Sequence, residues 1–399
     1  MSSIVPDAYE GREQALVKHE LLRHYLEKLV MIIGMHAKQR GHVDICYVDC
    51  FAGPWGAIDD ALEGTSISLS LRILSACSEA LEARGIRVTM RALYVEKSRK
   101  AFARLQDYLA KHAPRSVQST CLCGDFLNLR QDVLKWCGDD AFTFFFVDPK
   151  GWKEIAPSSL APLIQRRRSE LLINFAFNNV NRTVSMGAWQ AEMAKLLDGS
   201  LDLSNLSAAE REVALVDAYR KGLARHQEVR PTRFRPRTAY VTVLDPVQQR
   251  TKYHLVYLTC HPQGIIEFMG VSEHVDIVQR RVRSATKLDA RARETGILDM
   301  FGSSVDAQEG ARERLYGADD VDAFWRRYLS NGPRAVDSEA FADILEQTNW
   351  FPTDLQASLV RLIKSGELRN CDANGRTRWK RPLHFERGER LALVLAASA

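Results

Sequence analysis

Two stretches of this chain place an acid where chemistry could use it. In Tyr47-Val48-Asp49-Cys50-Phe51-Ala52-Gly53-Pro54-Trp55-Gly56 an apolar run of strand length ends in an aspartate and then a turn. The pattern recurs in Phe144-Phe145-Phe146-Val147-Asp148-Pro149-Lys150-Gly151-Trp152. Apolar strands with polar chemistry at their carboxyl ends are how a doubly wound α/β sheet builds a ligand site. Asp49 could accept hydrogen bonds from a cofactor's amino or hydroxyl groups, while Gly53 would let the Phe51-Ala52-Gly53 backbone approach it closely. The loop lacks the Gly-x-Gly-x-x-Gly that cradles a pyrophosphate, which disfavours an NAD- or FAD-binding dehydrogenase. S-adenosylmethionine has no phosphate and needs no such cradle. A purely structural turn fits the same residues.

Further acids end the next strand-like runs. Glu96 closes Val88–Glu96, where an acid serves ribose hydroxyls; it lies further from Asp49 than the ~20 residues typical of dinucleotide folds, so an extended first crossover is expected. Asp125, followed by Phe126, comes after the run 117–123, where an adenine amino group would sit. Each also fits as a helix N-cap. Asp148-Pro149 ends the fourth run beside the expected methyl group. In amino-methylating enzymes an Asp or Asn followed by Pro positions the target nitrogen and an aromatic residue stacks on the base. Trp152 is the candidate platform, Lys150 a candidate phosphate contact, and Asn174 a candidate polar group at the end of the fifth run. Asp148 also fits as a cap for the next helix.

The elements that must position these residues can be read from periodicity. Leu22, Leu26, Leu29 and Ile33 give residues 14–33 one apolar helical face. Strands at 44–49, 88–96, 117–123, 142–147 and 171–175 alternate with helices at 66–84 and 98–112, which implies a parallel sheet with right-handed crossovers. Two more strands, Thr238–Leu244 and Tyr253–Thr259, are too close for a helical crossover and read as an antiparallel pair at the sheet's edge. The expected fold is therefore α/β and Rossmann-like: the class I methyltransferase arrangement, a mostly parallel sheet with one antiparallel edge strand. Residues 180–232 read as a helical insertion, and the whole domain as 1–300. After a linker at 301–318, residues 319–399 read as a winged helix-turn-helix. Three helices bury Val321, Phe324, Trp325 and Tyr328, then Phe341, Ile344 and Leu345, then Leu355, Leu359, Leu362 and Ile363. Glu367–Cys371 and Arg376–Lys380 flank Asp372-Ala373-Asn374-Gly375, a hairpin signal. Asp354, Gln356, Ser358, Arg361 and Lys364 form the expected exposed face of the third helix.

Composition bounds the function classes. The chain has 399 residues, 46% hydrophobic and 26% charged, and no run approaches the ~18 apolar residues of a membrane helix. The first residues lack the pattern of a signal peptide. The 8 cysteines are too few for a disulfide scaffold, and no pair or cluster has zinc spacing. A reducing cytoplasm and no bound metal are the expectations. Residues 361–390 hold nine Lys/Arg against four Asp/Glu, an excess equal to the +5 of the whole chain. Seven more basic residues lie between Arg220 and Arg237. Either cluster fits a phosphate-contacting surface or a solvated face. In the tail, the wing (Arg369, Arg376, Arg378, Trp379 and Lys380) is more basic than the third helix, which favours phosphate or minor-groove contact over base reading. Protein docking is the alternative use of such a unit.

Taken together the motifs resemble the three-Cys-motif partner family, TcmP. The likeness rests on Lys18 and Tyr25-Leu26, on Tyr47–Trp55, Gly64-Thr65-Ser66 and Phe146–Trp152. Leu172-Ile173-Asn174-Phe175 and Tyr253–Thr259 extend it over about residues 14–290. The resemblance implies a class I methyltransferase-like fold, Lys18 among the cofactor-binding residues, and a partner protein with a three-cysteine motif of radical-S-adenosylmethionine type. It leads to an S-adenosylmethionine-dependent methyltransferase acting on nucleic acid. The alternative is a non-catalytic scaffold that docks DNA or the partner. Trp55 stands where a second Gly would be expected, and Lys150-Gly151 replace the Pro-aromatic pair of adenine-amino methyltransferases.

Overall fold

The structure is a computed structural model. It describes residues 5–6, 9, 11–39, 41–53, 64–228, 233–295, 316–373 and 378–394, with backbone alone for 288–295. Pro54, Trp55, Gly56 and Arg376 thus lie outside the described residues, as does most of the expected linker. The chain forms two compact units: Met1–Cys260 with Ala285–Lys287, and His261–Ser284 with Leu288–Ala399.

The first unit is built on a seven-stranded sheet of β1 (His42–Asp49), β2 (Arg87–Glu96), β3 (Val117–Cys123), β4 (Phe142–Val147), β5 (Ser169–Phe175), β6 (Arg237–Leu244) and β7 (Thr251–Thr259). Their order is β3-β2-β1-β4-β5-β7-β6. The first five are parallel, and β7 runs antiparallel to both β5 and β6. This is a Rossmann-like sheet. One expectation needs correcting: the antiparallel strand sits one place in from the edge. The burial patterns give the reason. Tyr253 to Thr259 of β7 are all buried, as an interior strand requires, whereas β6 alternates between buried and partly buried residues from Ala239 onward and tolerates the edge. All six residues of β4, Phe-Thr-Phe-Phe-Phe-Val, are buried, so the strand read as a continuous apolar run is a central one.

Helix α1 (Glu13–His36) packs on α2 (Ser66–Glu82). The approach is close at Gly34, where a Cβ would meet Leu81 Cδ1 at 2.4 Å. Polar bonds fix α1 over the sheet at two points. The Tyr253 hydroxyl donates to the Gln14 carbonyl (2.6 Å), and the Tyr25 hydroxyl donates to Glu170 (3.0 Å) and bonds the Tyr257 hydroxyl. Burial raises the Glu170 carboxyl, while hydroxyls including that of Thr259 (2.9 Å) favour its charged form. Lys18 lies between these two anchors, so its position is set by the fold.

Helices α3 (Arg99–His112), α4 (Phe126–Cys137) and α5 (Pro157–Ile164) complete the crossovers. The expected insertion is α6 (Phe177–Thr183), α7 (Gln190–Leu196) and α8 (Ala208–Glu228). Tyr219 of α8 stacks on Phe175 and donates to the Ile155 carbonyl (2.8 Å). Two arginines of the basic stretch are internal, whereas Lys221, Arg225, Arg233 and Arg235 are exposed. Arg220 is buried and bonds Thr238 and Asp217, Arg225 pairs with Asp198 (2.7 Å), and Arg237 is 1% exposed. The phosphate-surface reading of Arg220 and Arg237 is withdrawn, and Arg220 ties α8 to β6 through Thr238.

In the second unit, α9 (Pro262–Thr295) is followed by α10 (Ala318–Tyr328), β8 (Arg334–Val336), α11 (Ser338–Thr348), α12 (Pro352–Lys364), β9 (Leu368–Asn370) and β10 (Glu389–Leu393). The three strands form an antiparallel sheet, β8-β10-β9. The core holds most of the expected set, with Trp325, Phe341, Leu345, Leu355 and Leu359 buried, whereas Tyr328 and Ile363 are only partly buried. The expected hairpin strand begins outside the described residues, and β9 pairs with β10. Asp372 lies in a turn and accepts from the Arg390 backbone N–H (2.7 Å) and guanidinium (2.9 Å), which fastens that turn to β10. Leu383 and Phe385 are drawn into the core, where Phe385 stacks on Phe341 at 4.4 Å.

Candidate functional site

Strand order sets the geometry. Asp125, Glu96, Asp49, Asp148 and Asn174 end β3, β2, β1, β4 and β5, which are consecutive neighbours in the sheet. At the usual strand spacing this row of polar ends spans about 19 Å along the carboxyl edge. Between β1 and β4 the winding reverses direction, the topological switch point where open α/β sheets bind ligands. Asp49 and Asp148 stand on either side of it.

Asp49 is fully buried. It accepts from the Ser66 hydroxyl (2.6 Å) and the Phe51 N–H (3.1 Å). Burial pushes its carboxyl up to about 6; the two hydrogen bonds oppose that shift, Asp148 adds to it and Lys18 counters it. Asp148 is partly buried. Its Oδ2 pairs with the Lys18 ammonium, and its Oδ1 accepts from the Asn174 amide (2.7 Å). Asn174 Oδ1 is buried and bonded to nothing among the described residues. Lys18, Asp49, Asp148 and Asn174 are thus brought together as two carboxylates, one ammonium and one amide. Next to Lys18 on α1, His19 is buried against the Tyr9 hydroxyl (3.0 Å). Burial, with the neighbouring Lys18 charge, lowers its imidazole to about 3.

Glu96 is buried and uses one oxygen to accept the Ser98 N–H (2.6 Å); the other makes no hydrogen bond among the described residues. The Ala52 N–H donates to the Val95 carbonyl (2.8 Å) and the Gly124 N–H to the Glu96 carbonyl (3.0 Å), tying three strand ends together. Phe51 packs against buried Phe126 at 5.1 Å, an apolar wall over this part of the row. Asp125 is the N-cap of α4: it accepts from the Leu127 N–H (3.0 Å) and pairs with exposed Lys97 (2.7 Å), which holds it below the usual carboxylate range.

Pro149 is buried and Lys150 is exposed. Trp152 is a correction. It is 9% exposed, lies in the hydrophobic core and meets Trp189 edge-on at 6.0 Å, with the Lys153 ammonium 4.1 Å from the Trp189 ring centre. Its ring is covered from the insertion and is no open platform for a base. Ser66 and Tyr253 were missed by the sequence reading. The helix-start signal at Thr65, which caps α2 by accepting the Ser68 N–H, could have placed Ser66 facing the β1 end. A separate cavity of about 290 Å³, lined by His36, His42, Asp44, Asp140 and Arg168 among others, lies at the amino ends of the strands and contains none of these residues.

In the second unit, exposed Arg369, Trp379 and Lys380 contrast with Arg378, which pairs with buried Glu389 (2.6 Å). The third-helix face is also a correction. Ser358 is buried and donates to Asp322, Gln356 clamps Leu383, Asp354 accepts from the Tyr316 hydroxyl (2.7 Å), and Arg361 pairs with Asp322 (2.7 Å).

No protein-family profile and no curated protein sequence matches the chain. Among solved structures it is similar to a Bacillus cereus O-methyltransferase in complex with SAH: 11% identity, TM-score 0.26, covering 58% of this chain and 80% of that one. It is also similar to the SAH-bound methyltransferase PaMTH1 of Podospora anserina: 14% identity, TM-score 0.27, 64% and 89% covered. A third is the precorrin-6y C5,15-methyltransferase of Geobacter metallireducens: 13% identity, TM-score 0.25, 59% and 87% covered. At these scores the likeness adds nothing to what the strand order and the site geometry carry by themselves.

Proposed function

We propose that the chain is an S-adenosylmethionine-dependent methyltransferase acting on nucleic acid, working with a three-Cys-motif partner protein of radical-S-adenosylmethionine type. The observation that carries this reading is the row of strand-end acids, with Asp49 and Asp148 on either side of the switch point and Lys18 paired with Asp148. The sheet order, with β7 antiparallel, is the class I methyltransferase arrangement.

The residues fit the cofactor. Glu96 has an oxygen to spare where ribose hydroxyls would lie. Two carboxylates against one ammonium leave the crevice one negative charge in excess, which complements a single sulfonium cation. Asp49, with both oxygens bonded inside the protein, acts there through its charge. The Phe51–Phe126 wall suits a flat aromatic base. Asp125 reaches an adenine amino group once exposed Lys97 swings aside. When bound, the cofactor supplies an activated methyl group for direct displacement. Asp148, oriented by Lys18 and Asn174, aligns the acceptor's donor group, so the rate gain comes from positioning and exclusion of water. The second unit, with the element order of a winged helix-turn-helix, holds the nucleic acid.

Transfer of labelled methyl groups to nucleic acid tests the reading. Asp148→Ala abolishes transfer while affinity for S-adenosylhomocysteine stays within about threefold, since alignment rather than cofactor binding is lost. A fully active variant overturns the role. The covered Trp152 ring and the locally satisfied Asp125 favour a second reading, a non-catalytic scaffold, for which no nucleic acid accepts label.

A further inference from the structure

The second unit carries an aromatic side chain that its own core does not use. Trp379 is 53% exposed, the most exposed large hydrophobic side chain among the described residues. Its backbone is not loose. Arg378 before it is held by Glu389 (2.6 Å), the Pro382 carbonyl accepts from Asn370 (2.8 Å), and Gln356 bonds both the N–H and the carbonyl of Leu383 (3.2 and 2.9 Å). An exposed ring on a backbone anchored on both sides is a preorganised binding surface, because less conformational freedom is left to lose on contact. The Lys364 ammonium lies 5.0 Å from the ring centre, exposed Lys380 follows Trp379 in sequence, and exposed Arg369 lies on β9.

The remaining polar groups argue against duplex reading. On α12, Thr353 donates to Glu273 (2.5 Å), and Asp354, Gln356, Ser358 and Arg361 are all bonded within the unit. Only Lys364 is left, and it faces the Trp379 ring. A helix so committed has no side chain to offer a base edge in a groove. Three cations of this segment are paired as well, Arg378 with Glu389, Arg381 with Glu386 and Arg390 with Asp372, whereas Arg369, Lys380 and Arg387 are exposed. Few phosphates can then be neutralised, and affinity must come from elsewhere.

We propose that Trp379 is a stacking platform for an unpaired base of single-stranded nucleic acid, with Lys364, Arg369 and Lys380 contacting its flanking phosphates. The proposal rests on the nucleic-acid reading of the second unit. A base laid on the indole face would also feel the Lys364 ammonium, which reinforces the stack.

The test is fluorescence anisotropy of the full-length chain with a labelled single-stranded 12-mer and with the matching duplex, over a range of salt. The single strand binds more tightly than the duplex, and Trp379→Ala weakens it by about 5- to 150-fold while Trp379→Phe restores most of the loss. With three phosphate contacts, the slope of log affinity against log salt is about −2. Unchanged binding by Trp379→Ala, or tighter duplex binding with a slope steeper than about −5, overturns the platform but keeps the nucleic-acid reading. Absence of binding to either probe at low salt overturns both.

Discussion

Replacing Asp49 by Asn should stabilise the protein above pH 6 and leave it unchanged near pH 4. Burial of the carboxylate raises its value from 3.8 to about 6, so the folded state favours the protonated form. Between those values the native state binds more protons than the unfolded chain, and stability falls as pH rises through the window. The loss is complete above pH 6 and amounts to about 3 kcal/mol, at 1.36 kcal/mol per unit. Asparagine is isosteric and keeps an acceptor for the Phe51 N–H, while the Ser66 hydroxyl can turn to accept from the new amide. Because the variant also loses the attraction of Lys18, the expected net gain is about 1–3 kcal/mol at pH 7.5. Urea unfolding at pH 4, 5, 6 and 7.5 measures it, compared on whichever transition the substitution moves, since two compact units unfold in more than one step. A difference that does not grow with pH refutes the reasoning, because lost hydrogen bonds alone would give a pH-independent penalty. The same variant should bind the cofactor less well, as strained charge at a functional site trades stability for activity.

Two further outcomes follow from buried titratable groups. His19, lowered to about 3 by burial and Lys18, stays neutral through an NMR titration down to pH 5; it favours the folded state above 6.5 and loses that contribution as pH falls toward 3. A midpoint near 6.5 contradicts its burial. Arg378→Ala leaves Glu389, 4% exposed, with only Asn370 and the His384 N–H, and destabilises the second unit by about 2 kcal/mol. Glu389 is held below its usual value by Arg378, its backbone partner and Asn370 against the opposing effect of burial, so the loss shrinks as pH falls below 4.5. An unchanged denaturation midpoint at pH 7.5 contradicts the pairing.

The strands were legible because central parallel strands must be apolar on both faces, as Phe142–Val147 is, and because each acid marks where such a run meets water. The crossovers followed from alternation alone. Elements whose partners are distant in sequence were not legible. The place of β7 depends on which strand of a hairpin is buried on both sides, and that shows only when its face is compared with β5. The residues Arg376–Lys380 alternate like a strand, yet the partner of β9 is β10, after Phe385 has stacked on Phe341. Trp152 was read as open because nothing local reveals that Trp189 covers it. Ser358 and Gln356 looked exposed by helical spacing, but Asp322 and Leu383 reach them from other elements. In the site, Asp49, Asp148, Asn174 and Glu96 could be named from strand ends, whereas the Lys18–Asp148 pair joins residues far apart in sequence and entered only through the family resemblance.

The central claim is a nucleoside cofactor seated along the acid row, and calorimetric titration with S-adenosylhomocysteine tests it most directly. Wild-type protein is expected to bind with micromolar affinity, and Glu96→Ala to bind at least about tenfold more weakly through loss of its hydrogen bonds to the ribose. Equal binding by both proteins would contradict the placement of the ribose at β2, and heatless titration of the wild type, with no shift in its melting temperature, would contradict the cofactor assignment itself.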